Sequence, residues 1–74
     1  MRTWTKSNPG EALLATLTTK ILINAGIKPK NIAIISPYAA QVQLIAKLVG
    51  PTVSVRTVDG YQGGEAEVVI LSLV

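Results

Sequence analysis

The sequence of 74 residues contains neither cysteine nor histidine. It can therefore form no disulfide, no Cys/His zinc site and no catalytic site that depends on a thiol or an imidazole. Charged residues make up only 15% of the chain, against about 25% in an ordinary globular domain. No apolar run approaches the roughly 20 residues that cross a bilayer, and the polar residues 1–7 lack a signal-peptide core. These absences predict a soluble intracellular protein with no membrane partner.

Apolar residues, by contrast, make up 49% of the chain. A domain this small buries only roughly 60% of its unfolded surface, so this many apolar residues cannot all be covered within it. The composition therefore favours a fragment of a larger domain over a complete, unusually apolar one. The net charge of +3 is compatible with a nucleic-acid partner but does not require one, because no dense basic cluster is present.

The first helix is predicted from the signals at its ends. Asn8 can cap it, Pro9 suits its first position, and Glu11 completes a capping box. Gly26 is placed to end it, which predicts a helix over about 9–25. Apolar residues recur on it at helical spacing, namely Leu13, Leu14, Leu17 and Ile21. Polar residues occupy much of the other side, namely Thr16, Thr18, Thr19 and Lys20.

A second helix and three strands complete the prediction. The second helix covers about 39–49 and is stopped by Gly50 and Pro51. Short apolar runs predict strands over 32–35, 53–57 and 68–74. Helices that alternate with strands in this way are typical of an α/β fold with a parallel sheet. The sequence therefore predicts three parallel strands with two helices.

Residues 57–65, between the second and third strands, are the first candidate for chemistry. The glycines of this segment permit positive φ and close approach of the backbone to a ligand, and backbone N–H groups in such a loop can hold phosphate oxygens. Gln62 offers both a donor and an acceptor, Glu65 could accept hydrogen bonds from ribose hydroxyls, and Thr57 could donate to a nucleic-acid phosphate. A plain turn in which Asp59 caps one helical turn is the alternative. The three glycines of residues 57–65 are Gly60, Gly63 and Gly64.

Residues 36–41, after the first strand, are the second candidate. The carboxyl ends of parallel strands meet at one edge of a sheet, so this segment should lie beside residues 57–65. Tyr38 could stack on a base or pack against the sheet edge, and Gln41 could contact a phosphate or cap its own helix. The alternative is a strand-to-helix turn whose path Pro37 fixes.

Together, residues 8–12, 34–41 and 57–65 resemble motifs of superfamily 1 helicases. The branch in question contains the nonsense-mediated-decay helicase, senataxin and the immunoglobulin-mu-binding helicase. Its patterns are N-x-x-E-A, I-x-P-Y-x-x-Q, and V-D-[GAS]-[FY]-Q-G-x-E before an apolar strand. The resemblance covers about residues 7–74, and the third motif is the most specific.

This resemblance implies that residues 8–74 are a partial second RecA-like lobe of an ATP-dependent helicase and a relative of P-loop NTPases, truncated at its C terminus. Residues 1–7 would be an irregular lead-in. The residues implied to line the nucleotide cleft are Gln62, Gly63 and Glu65. Those implied to face single-stranded DNA or RNA are Thr57, Val58, Tyr38 and Gln41.

The chain also departs from the pattern of this branch. It has no G-x-x-x-x-G-K-[ST] phosphate loop and no acidic pair for magnesium, and the motif with the arginine finger would lie beyond Val74. Many relatives carry basic residues where this chain has Gly64 and Ala66. ATP and magnesium would therefore require the first lobe, and the isolated chain is predicted not to hydrolyse ATP. A non-catalytic nucleotide- or nucleic-acid-binding module, a decayed helicase relic and, less favoured, a flavodoxin-like regulatory domain remain alternatives.

Overall fold

A computed structural model describes residues 7–60 and 66–73 of the chain. It contains both predicted helices and all three predicted strands. Their bounds are α1 Pro9–Asn24, β1 Ile32–Ser36, α2 Ala39–Val49, β2 Ser54–Thr57 and β3 Val68–Leu71, with a short 3-10 helix at Pro29–Asn31 before β1. Neither helix in the described ranges is long and apolar enough to cross a membrane.

The three strands form one parallel sheet in the order β2-β1-β3, which confirms the predicted architecture. All five residues of the central strand β1 are buried, as is typical of the middle strand of a parallel sheet. β3 is shorter than the predicted 68–74. Its ladder partner β1 ends at Ser36, and Pro37, which follows, has no backbone N–H with which to extend pairing.

One face of the sheet, here called the helix face, carries the apolar core. From the strands it presents Ile32, Ile34 and Val55, which cluster with the buried side chain of Ile45 on α2. Register places Ile34 between Val55 of β2 and Ile70 of β3, so all three strands contribute to this face. The two helices also pack against each other, which makes the core two layers deep.

Helix α1 turns the side of Ala12, Ala15, Thr16 and Thr19 inwards. The spacing of Leu13, Leu14, Leu17 and Ile21 had indicated the opposite side, and that indication is wrong: these four side chains are 48–67% exposed. Small side chains let the two helices approach closely, and the buried hydroxyls are satisfied within the helix. Thr16 Oγ1 donates to the Ala12 carbonyl and Thr19 Oγ1 to the Ala15 carbonyl, each at 2.8 Å.

The other side of the sheet, here called the open face, presents Ala33 and Ile35 from β1, Arg56 from β2, and Val69 and Leu71 from β3. The first two are buried because they lie on the central strand, whereas Val69 and Leu71 are 45% and 61% exposed. No helix of the described residues packs on this face. Its apolar side chains are therefore only partly covered in this chain.

Candidate functional site at the carboxyl edge of the sheet

The two candidate segments lie side by side at the carboxyl edge of the sheet. Ser36, the last residue of β1, is in register with Thr57, the last residue of β2. The Val58 N–H donates to the Ser36 carbonyl at 3.2 Å and continues the ladder one step beyond the strands. The expectation that both segments share one edge is therefore confirmed for their described parts, residues 36–41 and 57–60.

Thr57 begins a tight turn. The Gly60 N–H donates to both the Thr57 carbonyl and Thr57 Oγ1, each at 3.1 Å. A hydroxyl that accepts a hydrogen bond can still donate its own hydrogen, so Thr57 keeps the donor that a phosphate contact needs. Val58 and Asp59 are exposed in this turn. The helical turn that Asp59 was predicted to cap falls outside the described residues.

Glycine permits a positive φ, but Gly60 does not adopt one; among the described glycines only Gly26 and Gly50 do so. Instead, the lack of a side chain at Gly60 lets its backbone lie close to the Thr57 side chain within the turn. A Cβ atom at this position would lie 3.1 Å from Thr57 Oγ1. The absence of a side chain at Gly60 therefore leaves room for the Thr57 hydroxyl.

Tyr38 lies at the junction between β1 and α2. It is the N-terminal flanking residue of α2, its backbone N–H donates to Ser36 Oγ at 3.3 Å, and the residue is partly exposed. This position at the carboxyl edge agrees with both predictions made for Tyr38, stacking on a base or packing at the sheet edge. Its contact with nucleic acid stays a prediction.

Gln41 lies inside the molecule. Its side chain is fully buried; Oε1 accepts from the Asn8 N–H at 2.7 Å, and Nε2 donates to the Asn8 carbonyl at 3.1 Å and to Ser72 Oγ at 3.4 Å. A contact with a nucleic-acid phosphate would require this side chain to leave those partners. Its predicted place among the nucleic-acid contacts stays a prediction, and its observed contacts are all internal.

Comparison with known protein families matches residues 2–74 to the AAA domain. The chain belongs to the AAA domain family. It is 43% identical over 72 residues to the DNA-binding protein SMUBP-2 of Rattus norvegicus, 42% identical over 72 residues to the DNA replication ATP-dependent helicase/nuclease DNA2 of Bos taurus, and 43% identical over 72 residues to the DNA polymerase alpha-associated DNA helicase A of Schizosaccharomyces pombe. These relatives confirm the resemblance to superfamily 1 helicases.

Each match covers 92–93% of this AAA domain but only 7–11% of the relative. The chain therefore spans a small part of the length of the curated relatives it matches. The residues predicted to line a nucleotide cleft, Gln62, Gly63 and Glu65, lie outside the described residues, so their placement is not part of the observed geometry.

Residues 7–60 and 66–73 contain no group of three or more acidic side chains that could hold a metal ion. An open concavity of about 400 Å³ lies between the end of α2 and β2, lined by Ala46, Gly50, Pro51, Val53, Val55 and Arg56. It contains none of the predicted site residues and has a single charged side chain, so the carboxyl edge is the better candidate site.

Asn8 and Ser72 are two residues at this edge whose role as hydrogen-bond partners of Gln41 was not predicted from the sequence. Asn8 was predicted as a helix cap and as the first residue of the N-x-x-E-A motif, and Ser72 only as a member of an apolar strand. A signal was present for Ser72, since it is the one polar residue in the run from Val68 to Val74. Its burial, at 1% exposure, is the reason that it needs a partner such as Gln41.

Proposed function

We propose that residues 8–74 of this AAA domain are part of the second RecA-like lobe of an ATP-dependent DNA or RNA helicase. One observation carries the proposal: the described parts of all three helicase-like segments converge on the carboxyl edge of the sheet. The register of Ser36 with Thr57 joins two of them, and the contacts of Gln41 with Asn8 join the third. In open α/β sheets this edge is where ligands bind.

In this proposal, Thr57 and Val58 contact the backbone of single-stranded nucleic acid. The Thr57 hydroxyl accepts from the Gly60 N–H, so its own hydrogen is available for donation to a phosphate oxygen. Val58 is 52% exposed beside it and offers an apolar contact. Tyr38 is a partly exposed residue at the same edge, and its aromatic ring is of the kind on which bases stack.

The nucleotide would lie between this lobe and a first lobe, which would supply the phosphate loop and the ligands for magnesium. From this chain, Gln62, Gly63 and Glu65 would face the nucleotide, with Glu65 near the ribose and Gly63 near the terminal phosphate. Hydrolysis of bound ATP supplies the free energy for movement along the strand. Relatives named for DNA replication and heterochromatin assembly support a location inside the cell.

The proposal is tested by transplanting the chain into a whole helicase. The segment of Schizosaccharomyces pombe DNA helicase A that matches this chain is replaced by residues 2–74, and ATP-dependent unwinding of a labelled duplex is measured. We expect unwinding to survive the replacement. Glu65→Gln should then lower it about tenfold or more, because one lost charge-assisted hydrogen bond costs about 1.5–3 kcal/mol.

Glu67→Gln is the matched control. Glu67 is an exposed carboxylate two residues further on, and its contact is a hydrogen bond from Asn31 Nδ2 at 3.0 Å, at the opposite edge of the sheet. Its substitution should leave unwinding unchanged. Equal effects of the two substitutions would refute the proposal that this chain supplies one part of a nucleotide site. ATP turnover by the 74-residue chain alone would also refute it, because the other part would then not be needed.

A further inference from the structure

Gln41 joins two parts of the chain at this edge. Asn8 begins α1: its Oδ1 accepts from the Glu11 N–H at 3.1 Å and its carbonyl accepts from the Ala12 N–H at 2.9 Å. Ser72 follows β3, and its N–H donates to the Ile35 carbonyl at 2.9 Å. The buried amide of Gln41 therefore lies between the start of α1 and the end of β3.

We propose that Gln41 is a positioning residue, whose neutral amide holds the start of α1 against the end of β3 and so fixes the carboxyl edge of the sheet. The amide forms two hydrogen bonds to the backbone of one residue, accepting from the Asn8 N–H and donating to the Asn8 carbonyl. This two-point contact sets both the position and the orientation of Asn8. The influence of this contact on nucleic acid rests on the proposed function; the contact itself does not.

The topology explains why a side chain is needed at this place. β2 and β3 lie on opposite sides of β1, so the connection after β1 leads to one side of that strand and the connection after β2 leads to the other. The crevice between the carboxyl ends of β1 and β3 is therefore the switch point at which open α/β sheets bind ligands. Here Ser72 follows β3, Ser36 ends β1, and both are buried. Gln41 reaches Ser72 in this crevice, whereas Tyr38 and Thr57, at the same edge, are partly exposed.

Asn, Leu and ionised Glu cannot make the same contacts. Asn is one methylene shorter than Gln. Leu would leave the Asn8 N–H and the Ser72 hydroxyl without their partner. An ionised Glu could accept from the Asn8 N–H but would place a second acceptor against the Asn8 carbonyl. A protonated Glu, however, has one acceptor and one donor and can reproduce the two-point contact with Asn8.

Gln41→Glu therefore tests the proposal through its dependence on pH. Position 41 lies in the first turn of α2, where the helix dipole favours a carboxylate by about 0.3–1 kcal/mol, but burial of an unpaired charge costs several kcal/mol. Burial should thus raise the pKa of the new carboxyl above its unfolded value of about 4.3. Among the described residues, the titratable groups in the segments around position 41 are Glu11 and Tyr38, which are both acids and offer no compensating positive charge.

Urea unfolding of the 74-residue chain gives the first measurement. At about pH 7, Gln41→Glu should raise the unfolding equilibrium constant about tenfold or more, since a buried acceptor loses its donor. Because the pKa is raised in the folded state, this deficit should shrink as the pH falls through it, towards about pH 5. The Asn8 amide, observed by NMR, should shift with the same titration.

Gln43→Glu is the matched control, because Gln43 lies in the same helix but is exposed. It should behave like the wild-type chain at both pH values. Equal stability of the Gln41→Glu and Gln43→Glu chains, or an Asn8 amide that does not respond to the titration, would overturn the proposal. A wild-type chain without cooperative unfolding would overturn it as well, since the two segments would then not be held together.

The helicase chimaera gives the functional measurement. There, Gln41→Glu should lower unwinding at about pH 7 and recover activity relative to wild type towards lower pH, while Gln43→Glu should not. If the unsubstituted chimaera does not unwind, the proposed function fails while the acid rescue of the isolated chain still stands. If the chimaera unwinds but Gln41→Glu shows no recovery, the positioning role fails and the proposed function stands.

Discussion

The two faces of the sheet are built from the same three strands but differ in what covers them. On the helix face, Ile32 and Ile34 are fully buried beneath α1 and α2. On the open face, Leu71 is 61% exposed although it is paired in register with the buried Ile35. Apolar character is similar on both faces, so composition alone does not decide which residues form the core.

This difference in burial shows that the core of this chain is one-sided: it lies on the helix face of the sheet and not on the open face. Strands of a parallel sheet are usually buried on both faces, and β1 has the apolar sequence that this requires. The described residues provide helices for one face only. An exposed apolar side chain on the open face therefore contributes little to the stability of this chain, however well it suits a buried strand.

The largest expected effect comes from truncating one apolar side chain on each face of the sheet. Ile34→Ala on the helix face should cost about 2–5 kcal/mol, because it leaves a cavity beneath α2. Leu71→Ala on the open face should cost less than about 1 kcal/mol, since most of that side chain is already in water. Urea unfolding of both variants makes the comparison.

The ratio of the two costs is the informative quantity. Comparable costs would show that the open face is packed as tightly as the helix face and would contradict a one-sided core. Leu71→Lys sharpens the result, because a charged side chain is tolerated at an exposed position and strongly destabilising at a buried one. We expect it to change the free energy of unfolding by less than about 1 kcal/mol.

Much of the fold could be predicted because local signals and pattern agreed. The cap at Asn8 and the stop at Gly50 placed the helix ends correctly, and the apolar run at 32–35 identified the central strand. The inward side of α1 could not be predicted in this way. Apolar residues occur on much of that helix, and the packing partner, α2, selects the side with small residues because it allows closer approach.

The second comparison concerns the two sides of α1. Thr19 is 2% exposed, whereas Leu17 is 48% exposed. Thr19→Leu should cost about 1–3 kcal/mol, because a larger side chain must be forced into a filled space. Leu17→Gln should change stability by less than about 1 kcal/mol, as measured by thermal or urea unfolding. A stabilised Thr19→Leu chain would mean that the leucine side of α1 faces inwards after all.

The location of the candidate site could be predicted from the sequence, but the separate roles of its residues could not. Parallel topology alone placed Tyr38 and Thr57 at one edge. The internal role of Gln41 could not be read from its motif, because a polar residue at the start of a helix is equally suited to a ligand or to a buried partner. The deciding contact, with Asn8, lies 33 positions away in the sequence.

The smallest expected effect concerns the edge at which both faces end. Gly60→Ala places a Cβ atom 3.1 Å from Thr57 Oγ1, a crowding that a small movement of the threonine relieves. Because φ at Gly60 is not positive, alanine fits the backbone and gains about 0.4–1 kcal/mol from a less flexible unfolded chain. The two effects oppose each other, so the free energy of unfolding should change by less than about 0.5 kcal/mol.

Gly50→Ala provides the matched comparison for this last prediction. Gly50 ends α2 with φ +82°, and a Cβ atom added there would meet no other atom within 4 Å. Its substitution therefore meets backbone strain without crowding and should cost about 1–2 kcal/mol.

In the helicase chimaera the order of the two effects should reverse, with Gly60→Ala the more harmful substitution. Gly60→Ala displaces the Thr57 hydroxyl and should weaken binding of single-stranded nucleic acid, whereas Gly50→Ala lies away from the carboxyl edge. If Gly60→Ala leaves that binding unchanged while Thr57→Val also does, Thr57 is not a contact residue and the nucleic-acid path lies elsewhere on the edge.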